Sequence, residues 1–447
     1  MNCIIYLITI LSVFQGMVIP GIESLGISPF FIAQIAVVLY ALVYWRMRGL
    51  IIPKEWYWFT FWFTAFVIFS AMSAFVFPFV FQGIHVYVPK GGIDEQYLSP
   101  GKLQISSSNI AQAVFILLYW LSIILLVTNK SENRIKIIGR AYVISAIIVL
   151  FFSFYQLISI LTGIPYPGDY LLNNTSYGIA QDATFGFLPR INSTFTEPSF
   201  YAMFVGSFAS WLYIRLLNED NSKRLWTWGS ALCIALLGLL LSASSTGYLS
   251  MLIFFACHSV VSIFSKNKST HNKRIFIIIS GCALFFAIFY MFVPGTDVIL
   301  SMILFDKGES ESSLHRFAAD AYAFTVLENT AYFGAGLGSN RPSSFITFLI
   351  SNVGIIGMFL ILLTTYVLWK MGVQANNAAR LKSTSAAVQA SGWALFTMLV
   401  SKAVAGADLS FPPMWILIIY FISCISHAQA ERKKYREINN TSRGIVA

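Results

Sequence analysis

Long apolar runs alternate with short polar connectors along the whole chain. A run of about 18 to 25 apolar residues is long enough to cross the hydrocarbon core of a bilayer as a helix. Twelve runs of this kind are found at 3–20, 27–45, 56–81, 109–127, 140–162, 198–217, 227–242, 247–264, 275–293, 343–369, 385–404 and 411–429. The pattern predicts an all-α polytopic membrane protein with about 12 transmembrane helices in a single integral-membrane domain, 1–447. We expect the first run to be retained as a span, since it has no signal-peptide cleavage site.

Basic residues collect in alternate connectors, which is the distribution that the positive-inside rule describes. Of the 29 Lys and Arg residues, 22 lie in connectors or in the C-terminal tail that would share one side of the membrane. The rule predicts that these connectors and both termini are cytoplasmic. Seven basic residues are predicted on the opposite, outer side: Lys90, Lys102, Arg190, Lys307, Arg316, Arg341 and Lys402.

Composition agrees with the membrane assignment. The chain is 57% hydrophobic and 11% charged, with a mean hydropathy of +0.72, and these values exclude a water-soluble globular fold. The net charge of +10 follows from the topology and gives no reason to expect nucleic-acid binding. Three connectors on the outer side are long, 82–108, 163–197 and 294–342, and we expect them to be loops that contain short amphipathic helices and carry function.

The second long loop ends in a polar cluster that leads into an apolar helix, Arg190 to Ser199. Thr196 is the predicted N-cap, and Pro198 suits the first turn. The positive end of this helix would lie near Arg190, so the cluster can bind an anion. Glu197 can pair with an arginine or accept a proton from a reacting hydroxyl. An ion pair and a cap that only fix the loop explain the same residues equally well.

The third long loop contains apolar residues at helical spacing between 312 and 324, which predicts an amphipathic helix on the membrane surface. Its apolar face would hold Leu314, Phe317, Ala318 and Ala321. Arg316 and Asp320 lie four residues apart on another face, where an exposed pair contributes only about a few tenths of a kcal/mol. His315 would project between the faces, and a lone histidine there packs or caps more often than it catalyses.

Three smaller features complete the outer side. The stretch Gly334–Pro342 does not match a dinucleotide fingerprint, and its glycines predict a tight turn with amides free for an anionic group beside Arg341. The serine-rich turn Ser242–Gly247 is predicted to cap and pack helices, although its hydroxyls would also suit a polar pocket. Lys402 and Asp408 are predicted to form a snorkelling ion pair, with a pocket wall as the alternative.

The order of these features resembles Wzy-type polysaccharide polymerases of the O-antigen polymerase and ligase superfamily. The features are Arg190, Phe195–Ser199, Ser242–Gly247, Arg316 and the glycines Gly334, Gly336 and Gly338. The resemblance covers residues 185–365, and the preceding part agrees only in hydropathy. Two departures are clear: the spacing after Arg190 does not reproduce the arginine and glycine pattern of the family, and the serine-rich turn lacks an arginine that relatives often have.

The resemblance implies a multi-pass glycosyltransferase of the bacterial inner membrane with its active site facing the periplasm. It would join undecaprenyl-diphosphate-linked oligosaccharide repeat units into O-antigen or a related polysaccharide. Arg190, Arg316 and Arg341 would bind the diphosphate, and Glu197 or His315 would be the base. No Asp-x-Asp motif stands out in the outer loops, so we expect no metal and no other cofactor. The partners would be the lipid-linked donor and acceptor, membrane lipid and a chain-length regulator.

Two alternatives remain open. O-antigen ligase uses the same donor but transfers the glycan to the sugar of lipid A-core, and the Phe-x-Glu-Pro-Ser stretch favours the polymerase. A lipid-linked oligosaccharide flippase or other transporter belongs to a different class. It would need cationic or polar residues near the bilayer midplane, whereas the unusual charges of this chain lie at the outer ends of the predicted spans.

Overall fold

The described part of the protein is mainly helical. The computed structural model describes residues 2–19, 26–87, 100–129, 133–174, 179, 184–185, 188–264 and 311–444. Its helices are α1 Asn2–Leu11, α2 Pro29–Arg48, α3 Tyr57–Val80, α4 Ser107–Thr128, α5 Arg134–Thr162, α6 Gly168–Leu171, α7 Pro198–Leu217, α8 Ser222–Leu241, α9 Ser245–Ile263, α10 Glu311–Asn329, α11 Phe345–Ala378, α12 Lys382–Val404 and α13 Pro412–Gly444. Two short antiparallel hairpins pair β1 His85–Tyr87 with β2 Pro100–Lys102 and β3 Thr184–Phe185 with β4 Leu188–Pro189.

The helices confirm a multi-pass membrane protein. Within the described residues, nine helices are long and apolar enough to cross a membrane. Helix α12 has 23 residues and is equally long but less apolar, and much of its surface is buried. Ten of the twelve predicted runs therefore correspond to long helices. The predicted run 275–293 and the start of the third long loop, 294–310, lie outside the described residues.

The prediction of a full span at 3–20 is wrong, because α1 ends at Leu11 after only ten residues. A helix of ten residues is about 15 Å long, half the thickness of a bilayer core. After α1 the chain is irregular and approaches other backbone closely. A Cβ atom on Gly16 would lie 2.9 Å from the carbonyl oxygen of Leu171. The second half of this apolar run therefore packs against loops instead of extending a helix.

Helix α7 occupies the centre of the described bundle. All its residues except Arg215 and Leu216 are buried, and it packs against α8, α9 and α12. Other helices expose large apolar side chains on their outward faces, for example Trp226 and Phe79. Such faces suit contact with lipid, where the helix satisfies its own backbone hydrogen bonds. We call the end of the bundle near Pro198 the site end and the end near Arg215 the basic end.

Candidate functional site

The loop before α7 is buried inside the protein at the site end. Residues 191 to 196 are each at most 1% exposed. Gln156 of α5 organises this loop: its Oε1 accepts from the backbone N–H of Asn192 (3.2 Å) and of Ser193 (2.8 Å), and its Nε2 donates to Asn192 Oδ1 (2.8 Å). Ser193 adopts a left-handed backbone, with φ of 54°. Irregular backbone at membrane depth requires such internal partners, so the loop has a defined shape.

Neighbouring segments fix both sides of this loop. The N–H of Gly16 donates to the carbonyl oxygen of Thr194 (3.0 Å), and Thr194 Oγ1 donates to the carbonyl oxygen of Val13 (2.6 Å). On the other side, the N–H of Ile191 donates to the carbonyl oxygen of Leu241 at the end of α8 (3.1 Å). The position of Arg190 is thus set by the chain that follows α1 and by α8.

The charges of Arg316 and Glu197 both act on Arg190 at the site end. Burial of the Arg190 guanidinium lowers its pKa, and the positive charge of Arg316 lowers this pKa further. Glu197 and Tyr248 act in the opposite direction without cancelling the effect. Arg190 Nε is buried and has no hydrogen-bond partner in the described part of the chain. Two cations beside one carboxylate leave a positive region that an anion would stabilise.

Glu197, not Thr196, is the N-cap of α7. Glu197 has extended backbone angles, φ −136° and ψ 150°, and its side chain makes no capping hydrogen bond. Its Oε2 instead accepts from Ser199 Oγ (2.9 Å). Thr196 is buried, and its hydroxyl has no hydrogen-bond partner among the described residues. The carboxylate of Glu197 therefore stays half-buried beside Arg190 and is not used to cap the helix.

Lys402 and Asp408 form an ion pair at the same end of the bundle. Lys402 Nζ lies 3.1 Å from Asp408 Oδ1 and also donates to the Asp408 carbonyl oxygen (2.8 Å). Lys402 is 0% exposed, so the predicted snorkelling to solvent is wrong. Its ammonium group lies 5.2 Å from the ring centroid of Phe345 and 5.5 Å from that of Phe411. Aromatic faces and one carboxylate thus compensate a fully buried cation.

Arg341 lies within electrostatic range of this pair. Burial alone would raise the pKa of Asp408, but Lys402, a hydrogen bond from Ser410 and the charge of Arg341 together hold it below its usual value. Arg341 is half-buried, and its N–H donates to the carbonyl oxygen of Tyr87 (3.1 Å). Arg316 is therefore within electrostatic range of Arg190, and Arg341 is within that of Asp408.

Nearly all amides of the glycine-rich loop have partners within the protein, contrary to the prediction that they are free. Seven of its N–H groups donate within the protein: those of Gly334, Ala335, Gly336, Leu337, Ser339, Asn340 and Arg341. Asn352 of α11 accepts two of them at its Oδ1, from Ser339 (2.8 Å) and Asn340 (2.9 Å). The loop is a bonded scaffold that carries Arg341.

A break in α11 explains why this loop fits there. Gly354 has non-helical angles, φ 62° and ψ −166°, inside the helix. The break leaves carbonyl oxygens of the preceding turn without their helical donors, and the N–H groups of Ala335 and Gly336 donate to Ser351 and Asn352 at 2.8 Å each. A Cβ atom on Gly354 would lie 2.3 Å from the carbonyl oxygen of Tyr332, so only glycine permits this approach.

Helix α10 carries Arg316 and is anchored through Asp320. Asp320 Oδ1 accepts from the N–H of Ser343 (2.7 Å), the N–H of Ser344 (3.0 Å) and Thr347 Oγ1 (2.7 Å). The carboxylate thus binds the N-terminus of α11, where the helix dipole favours negative charge. This role differs from the exposed pair with Arg316 that the spacing predicted.

The predicted apolar face of α10 points away from the rest of the protein. Leu314 is 58% exposed and Phe317 is 78% exposed, whereas Ala319, Ala323 and Val326 of the opposite face are buried. An outward apolar face agrees with a helix lying against lipid. His315 is half-buried on this helix. The charge of Glu197 acts on Arg190, and both Glu197 and His315 stay candidates for the base.

The serine-rich turn has the capping role that its sequence predicted. Ser242 Oγ donates to the carbonyl oxygen of Leu239 (2.6 Å) and accepts from the N–H of Ser244 (3.2 Å). A Cβ atom on Gly247 would lie 2.8 Å from Cβ of Ala202, so α9 and α7 pack closely there. The turn thereby holds α8 and α9 against the loop that precedes α7.

Sequence reasoning missed two residues of the site. Gln156 is a lone amide in an apolar run of α5, and this isolation is the signal that marks it as a buried polar anchor. Tyr248 lies close enough to Arg190 to influence its pKa, but nothing in the sequence pattern distinguishes it from lipid-facing tyrosines. Within the described residues, no group of three or more His, Cys, Asp or Glu side chains is arranged to hold a metal ion.

Comparison with known proteins identifies no relative: no family model matches the chain, and no curated protein matches it. The assignment of a function therefore depends on the residues of the site end.

Proposed function

We propose that the protein is an integral-membrane glycosyltransferase that polymerises undecaprenyl-diphosphate-linked oligosaccharide repeat units into O-antigen or a related surface polysaccharide. In this proposal it has about 12 spans, lies in the bacterial inner membrane, and its site end faces the periplasm. The observation that carries the proposal is that the charges of Arg316, an exposed residue of α10, and of Glu197 both act on Arg190, which directly precedes the buried loop at the start of α7. The distribution of basic residues supports the orientation.

The chemistry of a diphosphate donor fits this arrangement. The bond between the anomeric carbon and the diphosphate oxygen breaks as the acceptor hydroxyl oxygen bonds to that carbon from the opposite face. Negative charge then builds on the departing undecaprenyl diphosphate, and the guanidinium groups of Arg190 and Arg316 stabilise it. The pairing is unfavourable without an anion, since burial and like charge both lower the pKa of Arg190.

Glu197 is the group that takes the proton of the acceptor hydroxyl. Its carboxylate is half-buried beside Arg190 and accepts a hydrogen bond from Ser199, which orients it. A base must lie within hydrogen-bond reach of the proton that it removes. Because the acceptor attacks from the face opposite the diphosphate, Glu197 would act on the acceptor side of the anomeric carbon and Arg190 on the diphosphate side. Arg341 lies within electrostatic range of Asp408 and is a third candidate ligand for the diphosphate.

Surface-glycan gels of cells that lack the gene test the proposal. We expect these cells to show lipid A-core with a single repeat unit, and the wild-type gene to restore the ladder. Arg190→Ala and Arg316→Ala, at matched membrane levels, should leave the ladder absent. Lys102→Ala is the matched control, because Lys102 is an exposed cation on the same predicted side.

The gel also separates the alternatives. A core that carries no repeat in cells lacking the gene would indicate a ligase or a flippase and contradict the polymerase. A full ladder from both arginine variants would contradict the diphosphate assignment even if the protein is a polymerase.

A further inference from the structure

A cavity of about 680 Å³ opens at the basic end of the bundle. It lies among α1, α5, α7, α8, α12 and α13, and its basic lining residues are Lys136, Arg140, Arg215 and His427. Arg215 follows Glu197 by 18 residues on α7, which corresponds to about 27 Å along the helix axis. The cavity is therefore separate from the site that contains Arg190.

The polar lining of this cavity is suited to an anion. The described residues that line it include no Asp or Glu. Ser383 and Thr384 also line it, and they form the first turn of α12, where the helix dipole is positive. Carboxylates of nearby turns have other partners: Asp220 pairs with Lys382, and Glu431 Oε1 accepts from the N–H of Leu381 (2.7 Å).

The rest of the lining is apolar and aromatic. Trp211, Trp228 and Tyr420 form part of the wall, with Val143 and Ile144 of α5. The Arg215 guanidinium lies 5.3 Å from the ring centroid of Trp211 and 5.8 Å from that of Trp228. Stacking on aromatic rings holds this cation in place and leaves its N–H groups available to a ligand.

We infer that this cavity binds the phosphate headgroup of an anionic phospholipid, with an acyl chain along its apolar wall. Basic pockets between transmembrane helices on the cytoplasmic side bind such headgroups, and the positive-inside rule predicts that this end is cytoplasmic. The four basic residues, the N-terminus of α12 and the hydroxyls of Ser383 and Thr384 bind the phosphate. The aromatic and apolar wall contacts an acyl chain, which a free anion lacks, so the cavity favours a lipid.

The test uses the purified full-length chain in detergent, titrated with phosphatidylglycerol and followed by native mass spectrometry. The variant is Lys136→Gln with Arg140→Gln, which removes two exposed charges of α5 without shortening either side chain greatly. We expect affinity for phosphatidylglycerol to fall about fivefold for each charge removed, or about 25-fold for both. Phosphatidylcholine, which has no net charge, should bind more weakly to the wild type.

Two matched variants act as controls. Arg432→Gln with Lys434→Gln removes two exposed charges of α13 outside the cavity and should leave the affinity within about twofold of wild type. Lys136→Arg with Arg140→Lys keeps both charges and should bind phosphatidylglycerol as the wild type does, which shows that the charges determine the binding. A melting temperature of the glutamine variant equal to that of the wild type excludes loss of folding as the explanation.

Three results would overturn the inference. One is equal retention of phosphatidylglycerol and phosphatidylcholine by the wild type. Another is an equal loss of affinity in the cavity variant and in the α13 control. The third is displacement of phosphatidylglycerol by inorganic phosphate at the same concentration, which would show a site for the free anion. None of them bears on the role of Arg190.

Discussion

The two ends of the bundle both carry clusters of positive charge, but they hold these charges in different ways. At the site end, Arg190 lies on an irregular segment whose backbone is bonded to other parts of the chain, and Lys402 of α12 is paired with Asp408 on a second irregular segment. At the basic end, Lys136 and Arg140 project from the first turns of α5 into an open cavity. Many long-range contacts fix the positions of the cations at the site end. At the basic end, the positions of the cations depend on where the helices begin and end.

This difference has an energetic cause. A buried cation requires partners from several segments, because its desolvation is not offset by water. An exposed cation requires none, so its position tolerates change. Substitutions that disturb loop contacts should therefore damage the site end selectively, and retention of phosphatidylglycerol at the basic end reports whether the remainder of the bundle is intact.

The largest effect is expected from Lys402→Met. The substitution leaves the Asp408 carboxylate, whose side chain is 17% exposed, without its cation. Removing one partner of a buried pair costs about 3 to 5 kcal/mol. Thermal unfolding of the purified protein in detergent should show a strongly lowered melting temperature.

The double variant Lys402→Met with Asp408→Asn is the control for this prediction. It removes both charges and should recover part of the lost stability. A single variant as stable as the wild type, or a double variant no better than the single one, would refute the importance of the pair.

Gly336→Ala should produce an intermediate effect. Gly336 has φ of +99°, and a Cβ atom there would lie 2.6 Å from the carbonyl oxygen of Ser73. The strained backbone costs about 1 to 3 kcal/mol, and the contact with α3 adds to it. Gly163→Ala is the matched control, since Gly163 also has positive φ (+76°) but no atom lies within 4 Å of its added Cβ. Equal melting temperatures for the two variants would show that close approach at Gly336 is unimportant.

Asp320→Ala should have the smallest effect on stability, about 1 to 2 kcal/mol, as for other lost helix caps. The effect on ligand binding at the site end should be larger than this loss of stability suggests. Without the bonds from Asp320 to the N-terminus of α11, helix α10 can shift, and Arg316 shifts with it. Binding of undecaprenyl diphosphate should weaken while retention of phosphatidylglycerol is unchanged. Glu328→Ala, at an exposed position of the same helix, is the comparison. Similar losses in both variants would argue against the anchoring role.

The helices and their connectors could be predicted from the sequence, because a bilayer imposes a length and a composition on each span. Helix α7 begins and ends at the predicted residues, 198–217. The short α1 could not be predicted, since an apolar run does not reveal that its second half packs against the loop that contains Thr194.

The site was predictable only in part for a similar reason. Arg190 and Glu197 stand out as charges at the start of an apolar run, and Arg316 stands out as a charge on an amphipathic loop helix; in the structure the charges of Glu197 and Arg316 both act on Arg190. The glycine-rich loop looked like an anion cradle because its amide partners, above all Asn352, lie on another helix. Asp320 looked like the partner of a neighbour four residues away, whereas it binds a helix that begins at Phe345. Long-range hydrogen bonds of this kind leave no periodic pattern in the sequence.

The most direct test of the central claim is the binding of undecaprenyl diphosphate to the purified full-length protein, measured by native mass spectrometry. Arg190→Gln and Arg316→Gln should each weaken binding about tenfold or more, as expected for the loss of a charge-assisted hydrogen bond. The double variant should lose less than the product of the two factors, because both arginines act on one diphosphate. Wild-type affinity in both single variants, with phosphatidylglycerol retention intact, would contradict a shared diphosphate site at the start of α7.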